Sequence, residues 1–148
     1  MSGNRFRGVW RLVSYQAIMP DGSVRHPLGE DPVGRLTYDA EGRMAVQFMR
    51  RERPSFASGE MRGGTPEEMK TAFHGYVAYY GTYSADEAAG TVTHHIKASL
   101  FPNWVGQSQQ RTFELTGDRL TLTTPPTPAA GGLVTLVLEW EREDQPSA

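Results

Sequence analysis

Two histidines stand side by side at His94 and His95, and Phe101-Pro102-Asn103-Trp104 follows shortly after. Imidazole has an ordinary pKa of ~6.5, so it can donate, accept or transfer a proton near neutrality, and it can ligate metals. What two adjacent imidazoles can do depends on the element that carries them. On a strand, successive side chains point to opposite faces, so neighbours cannot share one ligand or one metal ion. Here Val92, His94, Ile96, Ala98 and Leu100 alternate with Thr91, Thr93, His95, Lys97 and Ser99. That alternation predicts a half-buried strand with the first set inward. It places His94 inside and His95 outside. His94 then reads either as a core histidine bonded to a neighbour or as a ligand contact and proton carrier.

Other residues carry chemistry at matching positions. Arg111 shares a strand face with Phe113 and Leu115. If that face is inward, the guanidinium needs an acid or an anionic ligand, because an unpaired buried charge is costly. At a rim it reaches water, and the pattern leaves both readings open. Tyr79, Gly81 and Tyr83 share one face, and Tyr80 and Thr82 the other. The phase of this strand is not set by the pattern, but either phase offers the interior a phenol. Tyr38, beside Leu36, is a similar candidate. Ser14 and Gln16 fall on the face of Trp10 and Leu12, which places them inward. Trp104 reads as a lid over a pocket or as an anchor for its own loop. The segment Arg53–Glu60 is the candidate for the other half of the mouth.

Several chemistries are excluded. Cysteine is absent, which removes disulfides and thiolates. Four histidines without HxH or HExxH spacing do not make a zinc site, so no metal is expected. No Gly-rich phosphate loop or Gly-x-Ser-x-Gly elbow occurs, and no cofactor is expected. A net charge of −2 argues against nucleic acid as partner. No apolar run approaches the ~18 residues of a membrane helix. The first residues lack the apolar stretch of a signal peptide. These features predict a cytoplasmic protein without a membrane partner. Monomer and homodimer both stay open.

The elements that must position these residues are mostly strands. Of 148 residues, 38% are hydrophobic and 22% charged, and 16 glycines and 10 prolines punctuate the chain. The pattern predicts one domain over 1–148 with about eight long strands and turns every 8 to 12 residues. Thr65, Pro66 and Glu68 form a capping box that opens one helix over 65–76. Met69, Ala72, Phe73 and Tyr76 predict a buried stripe on it. Such a series of strands suits an antiparallel sandwich or closed barrel. In an up-and-down barrel the first and last strands pair, so Trp10 meets Trp140 and Arg142 at one pole. A guanidinium on an indole closes that end, worth ~0.5–2 kcal/mol.

At this point the residues resemble a known family. Gly8-x-Trp10 opening the first strand, with Arg142 on the last, is similar to the lipocalin signature. Pro27-Leu28-Gly29, Asp31-Pro32-Val33-Gly34, Gly42-Arg43-Met44, Phe56-Ala57-Ser58-Gly59, Gly81-Thr82-Tyr83 and the His94–Trp104 stretch extend it. Together they resemble the short bacterial and fungal lipocalin-like domain proteins over nearly the whole chain. The resemblance implies an all-β, antiparallel up-and-down barrel of eight or nine strands with one short helix. It also implies small-molecule binding, and for some such barrels cofactor-free enzymology in secondary metabolism.

The leading expectation is a barrel that binds a small hydrophobic molecule, anionic or phenolic, through Ser14, Tyr38, Tyr79, His94, Trp104 and Arg111. The alternative is a cofactor-independent isomerase, cyclase or dehydratase in which His94 or Tyr83 moves a proton. A protein-interaction module ranks last, because the outer faces carry Arg11, Lys97, Thr121, Glu139 and Glu141. Replacing His94 with Ala separates the first two. A binder loses affinity and has no turnover to lose, whereas an enzyme loses ~10²–10⁴-fold in kcat at saturating substrate.

Overall fold

A computed structural model describes residues 4–129 and 132–143. Ten strands form one sheet: β1 (Gly8–Ile18), β2 (Val24–Arg25), β3 (Val33–Tyr38), β4 (Arg43–Met49), β5 (Tyr76–Asp86), β6 (Thr91–Ser99), β7 (Ser108–Thr116), β8 (Arg119–Thr123), β9 (Thr127–Ala129) and β10 (Gly132–Arg142). Every pairing is antiparallel, and each long strand lies beside the next. β1 also pairs with β10, so eight strands close into the expected up-and-down barrel. β2 and β9 are short additions to its edge.

One pole is sealed by the chain's own residues. The guanidinium of Arg142 lies 4.2 Å above the Trp10 ring. Its two terminal nitrogens donate to the carbonyls of Arg7 and Arg5, at 2.8 and 2.9 Å. The Trp10 indole N–H donates to the carbonyl of Phe6, and the Phe6 ring is buried beneath the barrel. Gly8 is required here. It has φ +136°, and a Cβ on it would meet Arg142 Nη1 at 2.8 Å. The glycine of Gly-x-Trp therefore makes room for the arginine that covers the tryptophan.

Two β-bulges change which side chains face inward. In β1 the register shifts between Leu12 and Ser14. Trp10 and Leu12 point inward before the bulge, and Tyr15 and Ala17 after it. Ser14 instead pairs opposite Glu139 and donates to its carboxylate from the outer face. The inward placement of Ser14 and Gln16 is thus reversed by one extra residue. The second bulge lies between Tyr80 and Gly81 against β6, where Gly81 pairs with Ile96 and Tyr80 with Ala98. Val92, His94 and Ile96 are inward, as alternation requires. Beyond Lys97 the faces swap. Ala98 lies on the outer face beside the exposed Tyr80, Leu100 is also exposed, and neither is the core residue expected.

The helix α1 (Pro66–His74) begins with the predicted capping box. Glu68 N–H donates to Thr65 Oγ1, and Thr65 N–H to the Glu68 carboxylate. Its apolar stripe is not buried, however. None of its residues is buried, Met69 and Phe73 are exposed, and Tyr76 is the first residue of β5. A closed barrel already covers its own inner face, so a nine-residue helix can only lie on the outside. The loop before it folds back onto it. Arg53 donates to the carbonyl of Ala72, and Ala57 N–H to Glu68. That loop therefore borders an outer groove and does not form half of the barrel mouth.

Gly81 allows the second bulge. A Cβ at Gly81 would sit 1.8 Å from the carbonyl oxygen of His95, a backbone atom that cannot step aside. Gly81→Ala is expected to lower unfolding free energy in urea by at least about 2 kcal/mol. Gly59→Ala, where an added Cβ meets nothing, should stay within about 0.5 kcal/mol of wild type. Equal stability of the two variants would refute this role for Gly81.

Candidate functional site

The barrel interior is filled at the Arg142 pole and hollow towards the other. A cavity of about 330 Å³ remains there. That is near the small end of ligand pockets, enough for a molecule built on one aromatic ring. Its walls are Leu36, Val46, Phe48, Leu122, Leu136 and Leu138, contributed by four strands. Polar groups enter this apolar space from Tyr15, Tyr79, His94, Arg111, Gln109 and Thr124. No Asp or Glu among the described residues lines it.

His94 sits on β6 with 2% of its surface exposed. Both of its ring nitrogens are engaged. Nε2 lies 2.7 Å from the Tyr38 hydroxyl, and Nδ1 lies 2.8 Å from that of Tyr79. Strand order explains the meeting. Tyr79 is on the neighbouring β5, and Tyr38 reaches across the barrel from β3. Burial pushes the imidazole down to about 3, and the neighbouring Arg111 and His95 add to the drop. At neutral pH His94 carries no charge and has no free nitrogen. It is a poor general acid, and any contact it makes with a ligand runs through its ring face or through Tyr79.

The tyrosines differ in access. Tyr38 is buried, and burial holds its hydroxyl well above the ordinary phenol range, with Tyr79 reinforcing the rise. Tyr79 lines the cavity. Burial raises it too, while Arg111 pulls the other way. Tyr83 shares the inward face but not the cavity. Its ring packs at 4.5 Å on Tyr38, and its hydroxyl donates to the carbonyl of Asp39 at 2.8 Å. The geometry removes Tyr83 as a proton carrier for anything in the cavity. Tyr15 takes the place that alternation assigned to Ser14, and it lines the cavity. The clue was present in β1: Trp10 and Leu12 fall on one face, but Val13 and Tyr15 on the other, so neither face is polar throughout. Two apolar faces on a strand with one wet side imply a bulge.

Arg111 points inward from β7 and is half-buried. Its Nη2 donates to Gln109 Oε1 at 2.7 Å, and it meets no carboxylate among the described residues. Trp104 lies in a single 3₁₀ turn, Pro102–Trp104. It stands edge-on to Tyr79, with centroids 5.9 Å apart, and also lines the cavity. Its ring thus packs on the barrel wall and borders the cavity. The sequence places Trp140 at the closed pole alone, yet its ring lines the cavity as well. Its indole N–H has almost no accessible surface and no partner among the described residues. On the outer face, His95 is held between Ser84 and Ser108. The two histidines thus serve opposite sides of one strand.

The sequence profile described as "Lipocalin-like domain" matches residues 7–143. The chain belongs to this lipocalin-like family. A fungal relative in Aspergillus oryzae (strain ATCC 42149 / RIB 40) is named "4'-hydroxy-3'-methoxypropiophenone carrier protein ppsC". It is 36% identical over 87 residues, which cover 55% of this chain and 78% of the relative. This lipocalin-like barrel, with its hollow apolar interior, is a small-molecule-binding protein.

Because His94 is held neutral, acid costs stability. Its folded pKa lies below the ordinary value, so between pH ~6.5 and about 3 the unfolded chain binds the extra proton. Stability contributed by the neutral ring is present above pH ~6.5 and is lost as pH falls towards the folded value. Between pH 7 and pH 4 wild type is expected to lose on the order of 3 kcal/mol more than His94→Gln in urea titrations. Parallel pH profiles for the two proteins would contradict the assignment.

Proposed function

We propose that this barrel carries a small, oxygenated aromatic molecule of the alkyl aryl ketone type. The observation that carries the reading is the cavity itself. It is a compact apolar chamber of about 330 Å³ whose polar lining includes an arginine and two tyrosines, with no acid among the described residues to answer them. A flat ring with short substituents fits the aromatic walls, and oxygen atoms on it meet the donors. The relative's name, a carrier of a hydroxy-methoxy propiophenone, supports the same chemical class.

Carriage is favoured over turnover by the state of His94. A neutral imidazole with both nitrogens engaged holds its neighbours in place and does not exchange protons readily with a bound molecule. Arg111 at the mouth suits the oxygen of a phenol or phenolate.

Titration of the purified protein with 4'-hydroxy-3'-methoxypropiophenone, followed by tryptophan fluorescence and calorimetry, tests the proposal. Saturable binding at one molecule per chain with Kd in the micromolar range or below is expected. Chromatography after prolonged incubation should recover the compound unchanged. Absence of binding by alkyl aryl ketones would reject the ligand class, and conversion to a new product would reject carriage. Arg111→Ala is expected to weaken binding of the phenolic ketone about tenfold or more, with the fold intact by circular dichroism.

A further inference from the structure

We infer that the Tyr38–His94–Tyr79 chain of hydrogen bonds is polarised in one direction, so that Tyr79 presents its O–H to the cavity and donates to the carbonyl oxygen of the bound molecule. The inference rests on the carrier reading above and deepens it, because it names the group that the site recognises.

A neutral imidazole has one N–H donor and one bare acceptor nitrogen. Two tyrosine hydroxyls flank His94, one on each nitrogen. Only two neutral arrangements satisfy both contacts. In the first, Tyr38 donates to Nε2, the proton sits on Nδ1, and Nδ1–H donates to the oxygen of Tyr79. The proton of Tyr79 is then free. In the second, Tyr79 donates to Nδ1, the proton sits on Nε2, and Tyr38 becomes the acceptor. The proton of Tyr38 must then find another partner.

The surroundings of the two hydroxyls separate these arrangements. Tyr38 is 1% exposed, does not line the cavity, and has His94 as its one hydrogen-bond partner among the described residues. The second arrangement strands a buried O–H, which loses its hydration with nothing in return. Tyr79 lines the cavity, so its free proton in the first arrangement meets water or a ligand. The orphan must be placed where something can accept it, and only Tyr79 is so placed.

An independent observation points to the same ligand chemistry. Arg111 lines the cavity, can only donate, and faces no carboxylate among the described residues. With the first arrangement, Tyr79 and Arg111 both offer donors to this chamber, and no acidic side chain among the described residues lines it. The complementary molecule carries acceptor oxygens, as a ketone or enone does. An alkylphenol of the same size, whose one polar group also donates, leaves donors unanswered.

The test uses two probes, 4'-hydroxypropiophenone and 4-propylphenol, which differ at the carbonyl. Wild type should bind the ketone about tenfold more tightly. Tyr79→Phe should lose most of that preference and keep its affinity for 4-propylphenol. Tyr38→Phe leaves Tyr79 in place but frees the imidazole, so Tyr79 can turn its proton onto Nδ1. It should reduce the ketone preference about threefold or more, which a merely structural contact of Tyr79 would not do. Long-range ¹H–¹⁵N spectra of labelled protein read the tautomer directly, and Nδ1–H is expected. An Nε2–H tautomer, or undiminished ketone preference in Tyr79→Phe, overturns the inference while the carrier reading stands. If wild type binds neither probe, the carrier reading fails together with the ketone contact, and the ¹⁵N result alone decides the polarity of the chain.

Discussion

The pairing of β1 with β10 is the constraint on which everything else rests. It converts a meander of strands into a closed surface with an inside. A closed sheet has no second layer to cover its inner face, so its own side chains must fill it. In this protein the filling is uneven. Phe6, Trp10 and the Arg142 guanidinium occupy one pole, and Gly8 gives up its side chain to admit them. With that pole sealed, the other can stay hollow without the barrel losing its core. The first and last strands, farthest apart in sequence, thus create the chamber whose walls come from the strands between.

Closure also decides which polar groups are tolerable. A histidine placed inside a barrel must be neutral or paired, because charging it in a poorly solvated interior is costly. His94 meets this requirement with two tyrosines from different strands, one buried and one facing the cavity. That asymmetry turns a core-packing solution into a directional device. The same reasoning applies to Arg111. Its guanidinium donates to a glutamine side chain, and its field lowers the imidazole and opposes the rise of the nearby phenols.

The two bulges show how local backbone irregularity shapes the site. Each adds one residue to one strand and flips every side chain beyond it. The β1 bulge brings Tyr15 into the cavity and sends Ser14 to Glu139 outside. The β5–β6 bulge keeps Val92, His94 and Ile96 inside while putting Ala98 outside beside Tyr80 and leaving Leu100 exposed. Apolar groups therefore appear on the outer wall near α1, whose own Met69 and Phe73 are exposed.

Short-range rules made several features of this chain legible from its residues. Strand alternation separates His94 from His95. The Thr65-Pro66-x-Glu68 box starts the helix where the backbone needs donors satisfied. Gly-x-Trp with a distant arginine marks the ends that must meet. Each of these depends on neighbours within a few residues or on the topological rule that a barrel's first and last strands pair. Ser14, the helix stripe and the Arg53–Glu60 loop went the other way because their positions depend on what lies opposite. A bulge is a property of two strands, visible only when both are laid side by side. A helix stripe is buried only if a surface needs covering, and a closed barrel offers none. The partners of His94 follow the same logic: Tyr38 lies 56 residues away and Tyr79 lies 15 away. Sequence could nominate each as a phenol near a cavity. Only the curvature of the closed sheet brings two hydroxyls to opposite nitrogens of one ring.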